Sequence, residues 1–259
     1  MSGDIYIAAA GALAYEKRLQ IISNNLANAN TVGFKMDRGH MKLIDSADLP
    51  SQSAQNPADL ATSRAHLFWN NFSVYTDYSS GALKQTDNDF DLALVGKGFF
   101  CVQTPDGVQY TRKGNFTLNS KGVLVTGNGL PVLGEAGEIT VQSKENPHKY
   151  AKFAVDGQGN VSVDGKQVDT LRIVDFKEFN RLSKTGDTLF KMSDIGSAEA
   201  EVEDVKVSQG SIELSNVDSV KMMTEMIEVM RGYESYQKVI QSADETYSQA
   251  INKVGSLTG

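Results

Sequence analysis

The chain has 259 residues, 40% hydrophobic and 22% charged, with a formal net charge of −7 and one cysteine. Such a composition belongs to a folded protein of one large domain or two or three small ones, and wholesale disorder is excluded. The acidic balance argues against a nucleic-acid partner, since no basic face is available to displace counterions from phosphates; Cys101 alone excludes an internal disulfide and any multi-cysteine metal site.

The first stretch is helical. Ile5, Ala8, Ala12, Tyr15, Leu19, Ile22, Leu26 and Ala29 recur at three- and four-residue steps, the spacing that keeps one helix face against a partner. Thr31-Val32-Gly33 follows, and Gly33 is expected to turn left-handed and stop the helix. Ile5 to Leu13 is apolar but short and follows no basic segment, so a cleavable secretory signal is not expected. No apolar run reaches the roughly twenty residues of a membrane span. By these rules the protein stays in the cytosol unless a different export route is used.

Residues 36–80 have weak periodicity and a polar middle, Ser51-Gln52-Ser53-Ala54-Gln55-Asn56-Pro57, and are expected to form a connector or insertion. A short strand is expected at Phe72-Ser73-Val74-Tyr75. His66, Phe68 and Trp69 form an aromatic cluster that would serve as a contact surface or as a local anchor.

From Gly81 to about residue 207, short apolar runs alternate with glycine turns. The strands expected are Asp91 to Val95, Phe99 to Gln103, Val108 to Arg112, Asn115 to Leu118, Val123 to Thr126, Pro131 to Leu133, Ile139 to Val141, Leu171 to Phe176 and Val202 to Val207. Turns are expected at Asp106-Gly107, Gly127-Asn128-Gly129, Asp156-Gly157 and Asp164-Gly165. Cys101 lies in an apolar run, where it reads as a small buried hydrophobe.

The last segment, 208–259, holds the longest helix. Met222, Met226, Val229, Tyr233, Tyr236, Ile240, Ala243, Tyr247, Ala250, Val254 and Leu257 alternate steps of four and three. Such a helix would be roughly 55–60 Å long. Ser215-Asn216-Val217-Asp218 offers its cap. The two terminal rows are candidate partners for one another; two amphipathic helices packed on one globular body would show the same periodicity. The expected fold class is α+β: long N- and C-terminal helices forming a coiled-coil layer, with a central glycine-rich all-β domain. Its segments are 1–35, 36–80, 81–207 and 208–259.

Catalytic patterns are wanting. Gly96-Lys97-Gly98 leads into another strand, so it reads as a hairpin turn and not as a phosphate cradle. Asp156-Gly157-Gln158-Gly159-Asn160 lacks the spaced carboxylates and closing glutamate of a calcium loop. His40, His66 and His148 lie in different segments without zinc spacing, and no nucleophile elbow is present. No catalytic, cofactor or metal residue is expected, and no small-molecule substrate.

Ser23-Asn24-Asn25-Leu26-Ala27-Asn28-Ala29-Asn30-Thr31-Val32-Gly33-Phe34-Lys35 closely resembles the N-terminal signature of the bacterial flagellar rod and hook proteins. Asp91 to Phe100, Tyr110 to Phe116, Leu124 to Thr126, and Gly210 to Asp218 with Met226-Ile227 and Arg231 to Glu234 resemble the same family, in its order. The resemblance implies a non-catalytic rod subunit that assembles with itself and other rod subunits and transmits torque. It also implies uncleaved passage through the flagellar type III export apparatus to a periplasmic basal body. The terminal helices would line the tube's interior and the β domain would lie outside. The seam residues would then be Ile5, Ala12, Tyr15, Leu19, Ile22, Leu26, Met226, Tyr233, Tyr236, Ile240, Tyr247 and Val254. Asn24, Asn25, Asn28, Asn30, Gly33 and Phe34 carry the signature; their amides suit helix-end capping and bonds to neighbouring subunits. Other classes compatible with the residues are a soluble binding module dimerised through its helices, and a hydrolase hidden in the β domain.

Overall fold

The computed structural model describes residues 2–41, 72–141, 152–192, 199–200 and 205–255. Helix α1 is Ser2–Ala27 and helix α2 is Ser219–Gly255. Neither contains proline, and α1 is rich in alanine, the strongest helix former. The strands are β1 (Asp37–Met41), β2 (Phe72–Thr76), β3 (Leu83–Gln85), β4 (Leu92–Val95), β5 (Phe99–Thr104), β6 (Gly107–Thr111), β7 (Phe116–Leu118), β8 (Leu124–Thr126), β9 (Phe153–Val155), β10 (Asn160–Val163), β11 (Lys166–Thr170), β12 (Ile173–Phe176), β13 (Leu182–Gly186), β14 (Leu189–Met192), β15 (Glu199–Ala200), β16 (Lys206–Gln209) and β17 (Ser211–Glu213). The protein is therefore α+β, with a central β-rich region between two helices.

The chain divides into two compact units. One combines α1, the β1–β2 pair and α2; the other takes residues 28–36 and 78–216. The division differs from the expected segments in three places, one being that residues 208–216, expected with the C-terminal helix, belong to the β-rich unit. Asn28 to Met36 fold with the β-rich unit rather than with the helix they follow, and the ends of the connector 36–80 pair as β1 and β2 beside α1. The connector's polar middle, His66, Phe68 and Trp69 lie outside the described residues.

In the helical unit, β1 and β2 pair antiparallel from Asp37 opposite Thr76 to Met41 opposite Phe72. Arg38 and Asp77 form an ion pair at 2.9 Å, and the Thr76 hydroxyl donates to Asp37 Oδ1 at 2.8 Å. Gly39 leaves room for the Phe72 ring and Ile21, so this strand pair lies close against α1. Helix α2 is capped by Asp218, whose Oδ1 accepts the N–H groups of Val220 and Lys221 at 3.0 and 3.1 Å. The capping group is thus the carboxylate of the expected cluster, with Ser215 outside the helix.

The β-rich unit is built around an antiparallel six-stranded sheet of order β13-β14-β6-β5-β12-β15. Strand β5 is buried on both faces. Phe100 and Val102 enter a core with Leu92, Leu124, Val132, Ile139 and Val161, while Phe99 and Cys101 enter a second with Tyr110, Phe176 and Phe190. Cys101 is fully buried there. The expected hairpin at Gly96-Lys97-Gly98 is absent: β4 pairs with β16, whereas β5 pairs with β6 and β12, so the loop joins two sheets. Asp106-Gly107 and Asp164-Gly165 do turn hairpins; the latter pair has φ of 51° and 80°. Pro131 to Leu133 and Ile139 to Val141, expected as strands, contribute isolated bridges instead: Pro131 with Val125, Val132 with Val102, Leu133 with Glu138 and Thr140 with Val123.

Candidate functional site

The two terminal rows meet within a single chain, and they run antiparallel. Arg18 pairs with Glu225 at 2.6 Å; further along, Tyr15 packs on Gly232 and Tyr236 packs on Gly11. The two tyrosine rings lie 5.4 Å apart. The arrangement is reciprocal, because each helix spends a glycine so that the other's ring can approach its backbone. A Cβ at Gly11 would stand 2.5 Å from the Tyr236 ring. This accounts for two glycines inside helices, where each costs about 1 kcal/mol relative to alanine.

Ile22, Met222 and Val229 form the closed centre of the seam, flanked by Tyr15, Leu19, Leu26, Val217 and Met226. Ala8 and Ala12 are buried too, and Ile5, Tyr233, Tyr236, Ile240 and Tyr247 are half-buried. The expected rows are thus brought together along most of their length. The side chain of Val254 and residue Leu257 lie outside the described residues. Large apolar side chains on other faces of the helices are left in solvent, among them Tyr6, Ile7 and Leu13 on α1 and Val220, Met223, Ile227 and Met230 on α2.

The asparagine signature divides by position. Asn25 is buried, and its amide clamps one residue of β1: Nδ2 donates to the Asp37 carbonyl at 2.7 Å and Oδ1 accepts the Asp37 N–H at 2.9 Å. It mimics a ladder strand to hold β1 on α1. Asn28 follows the helix end, with its carbonyl accepting the Thr31 N–H and its Oδ1 the Thr31 hydroxyl, each at 3.1 Å. Asn24 and Asn30 are exposed. Gly33 has the expected positive φ, 68°, but it does not stop the helix, which ends at Ala27. Its N–H donates to the Glu213 carbonyl at 2.8 Å, and any Cβ would collide with the backbone of Arg112 and Lys113. Gly33 is there for close approach.

Beside it sits a charged cluster that sequence reasoning missed. Glu213 lies between two buried cations: Oε1 accepts from Lys35 Nζ at 2.6 Å and from the Gly81 N–H at 2.8 Å, while Oε2 takes Arg112 at 3.3 Å. Lys35 and Glu213 are each 1% exposed. Lys35 also donates to the Ser79 carbonyl, and Asn216 binds both the Met36 N–H and Ser79. Phe34 is buried under the Lys184 ammonium, 4.5 Å from the ring centre. Burial pushes the Arg112 guanidinium below its ordinary pKa, against the opposing charges of Glu213 and Asp175. All three charged residues fall within the recognised blocks. That was the available signal, but nothing in their spacing placed them together.

Among the described residues no group of three or more histidine, cysteine, aspartate or glutamate side chains is placed to hold a metal, and no helix is long and apolar enough to cross a membrane. What the geometry offers is a long antiparallel helix pair with apolar outer faces and, in the β-rich unit, a buried and matched charge cluster.

Comparison with known proteins agrees. Residues 5–35 match the model of the flagella basal body rod protein family, 93–163 that of the flagellar hook protein FlgE/F/G D1 domain, and 208–253 that of the flagellar basal body rod FlgEFG protein C-terminal region. Relatives include the flagellar basal-body rod protein FlgF of Caulobacter vibrioides, 32% identical over 99% of this chain and 100% of that one. They also include FlgG of Bacillus subtilis, 34% identical over 97% and 99%, and FlhO of the same organism, 31% identical over 98% of each. The chain belongs to the family of flagellar basal-body rod proteins, and it is a structural protein of the rod.

Proposed function

We propose that this chain assembles with itself and with other rod subunits into the tubular drive shaft that transmits torque for motility. The terminal helices form a coiled-coil layer lining the tube, and the central β domain, residues 81–207, stands outside it. The subunit catalyses nothing and takes no cofactor. It reaches the periplasmic basal body uncleaved, through the flagellar type III export apparatus. Residues 36–80 act as the insertion by which one rod position differs from another. Val102 to Gly107 and Pro131 to Glu135 favour the proximal-rod FlgF type over the distal FlgG type, and relatives of both kinds align over nearly the whole chain.

One observation carries this reading: the helix contact built from Tyr15, Leu19, Ile22 and Leu26 of α1 and Met222, Met226, Val229 and Tyr236 of α2 sits in the two end segments that the rod-family models cover. The proposed seam extends it to Ile5, Ala12, Tyr233, Ile240, Tyr247 and Val254. A heterologous contact repeated with a helical operator makes an open filament, and long helix layers suit such contacts. In the signature motif, the amides of Asn24, Asn25, Asn28 and Asn30 serve helix-end capping and bonds to neighbouring subunits, and Gly33 and Phe34 complete it.

The test is Ile240→Asp. A carboxylate in the apolar seam costs several kcal/mol or loses its charge. The variant is expected to be made and exported, to keep the β-unit melting transition, and to leave cells non-motile with incomplete rods. Normal motility would contradict the proposal.

A further inference from the structure

From Ile5 to Tyr15 the chain reads Ile-Tyr-Ile-Ala-Ala-Ala-Gly-Ala-Leu-Ala-Tyr, with no charged residue on any face. A helix that is apolar all round belongs in an interior, yet α2 covers only one side. Tyr6, Ile7 and Leu13 are 42%, 55% and 44% exposed. On α2 a second apolar row, Val220, Met223, Ile227 and Met230, is also exposed. Because the helices run antiparallel, with Gly11 at the level of Tyr236, these two patches lie toward opposite ends of the pair.

We propose that the outer face of α1 in one copy docks on the Val220–Ile227 row of α2 in the next. This rests on the rod reading above and names the partner of its helix layer as a second copy of this chain. The symmetry of the rod reading sets the direction of the contact, and two observations select its register. Copies related by a screw operation all point the same way, so α1 of one must run antiparallel to α2 of its neighbour. Tyr6, Ala10 and Leu13 step by four and three, and Ile227, Met223 and Val220 step by four and three in the opposite direction. Tyr6 then meets Ile227, Leu13 meets Val220, and small Ala10 receives Met223. Lys17, the next residue of the α1 row, falls at the start of the neighbour's α2, beside the Asp218 carboxylate, so the one charge at the end of the patch finds its opposite.

Within a chain Tyr6 lies level with about residue 241, and between copies with Ile227. Neighbours are therefore offset by about fourteen residues, roughly 20 Å along the helices. The contact is heterologous and does not close on itself. It covers on the order of 600 Å² of accessible surface, well short of the roughly 1,200 Å² of a stable isolated complex. A free pair is consequently weak, and the contact accumulates only where each chain uses both patches.

Disulfide mapping in cells tests this. Chains carrying Leu13→Cys and chains carrying Val220→Cys are expressed together, and basal bodies are isolated under mild oxidation. Cys101 is buried and does not compete. A cross-linked dimer is expected from the mixture and none from either variant alone; both substitutions in one chain give a ladder. Like-with-like dimers, or incorporation without any cross-link, would overturn the proposal while leaving the rod reading intact. Absence of the wild-type chain from basal bodies would overturn the rod reading itself. Should the cysteine chains fail to incorporate, Ile227→Glu decides: it is expected to keep the monomer's melting curve and lose incorporation, and normal incorporation overturns the contact. Binding of the purified chain to phosphatidylglycerol vesicles through Tyr6 and Ile7, without copy-to-copy cross-links, would assign the face to a membrane surface instead.

Discussion

The two units of this chain hold themselves together in opposite ways. The β-rich unit is closed: two apolar cores share strand β5, and even its charges, Lys35, Arg112 and Glu213, are buried and matched to one another. The helical unit is open. Its seam closes over one small cluster, Ile22, Met222 and Val229, and large apolar side chains remain on its outer faces. A closed unit is stable alone and tolerates a solvent-facing position. An open one leaves apolar surface for neighbours to cover, which is what the proposed polymerisation through the chain ends requires.

The contrast breaks most sharply at Glu213. Replacing it with leucine leaves two buried cations without an anion, and breaking a buried pair in this way costs about 3–5 kcal/mol. Urea unfolding of Glu213→Leu should show that loss in the β-unit transition, whereas Lys35→Met, which leaves the Glu213–Arg112 pair balanced, should cost less. A loss below about 1 kcal/mol in Glu213→Leu would show the cluster to be solvated and the unit less closed than described.

On the other side stands Ile22→Ala. Removing this buried side chain should cost about 2–4 kcal/mol, confined to the helices: amide exchange in α1 and α2 accelerates while the β-unit transition stays put. Equal loss in both units would mean that they unfold as one body.

Asn25→Ala gives the smallest effect and sharpens the boundary between helix and strand. Two hydrogen bonds to the Asp37 backbone disappear, at about 1–3 kcal/mol. Exchange at the Asp37 amide should rise with little change in the rest of α1.

How much of this was legible depends on the range of the interactions. A three-four apolar row is a local property, so both helices and their shared face could be read from Ile5 to Leu26 and from Met222 to Tyr247. Strands β4 to β8 were legible for the same reason, being short apolar runs bounded by glycine turns, whereas β1 and β3, Asp37–Met41 and Leu83–Gln85, are too polar to read that way. Strands β11 and β13 escaped notice because Lys166-Gln167-Val168 and Leu182-Ser183-Lys184 are largely polar and sit toward the surface. Gly33 showed its backbone conformation but not its purpose, which depends on Arg112 and Glu213, far along the chain. The Lys35–Glu213 pair spans 178 residues, and no periodicity or spacing reports a contact of that range. Gly11 and Gly232, each a local cost inside a helix, are accounted for only by the opposing tyrosines, which no local pattern reports.

The most direct measurement is a map of isolated basal bodies with this chain located in it. The account predicts that the chain occupies the rod with α1 and α2 in the innermost layer, and that the β-rich unit lies outside them. A rod complete without the chain, or one in which its helix pair faces outward and touches no neighbour, would contradict it.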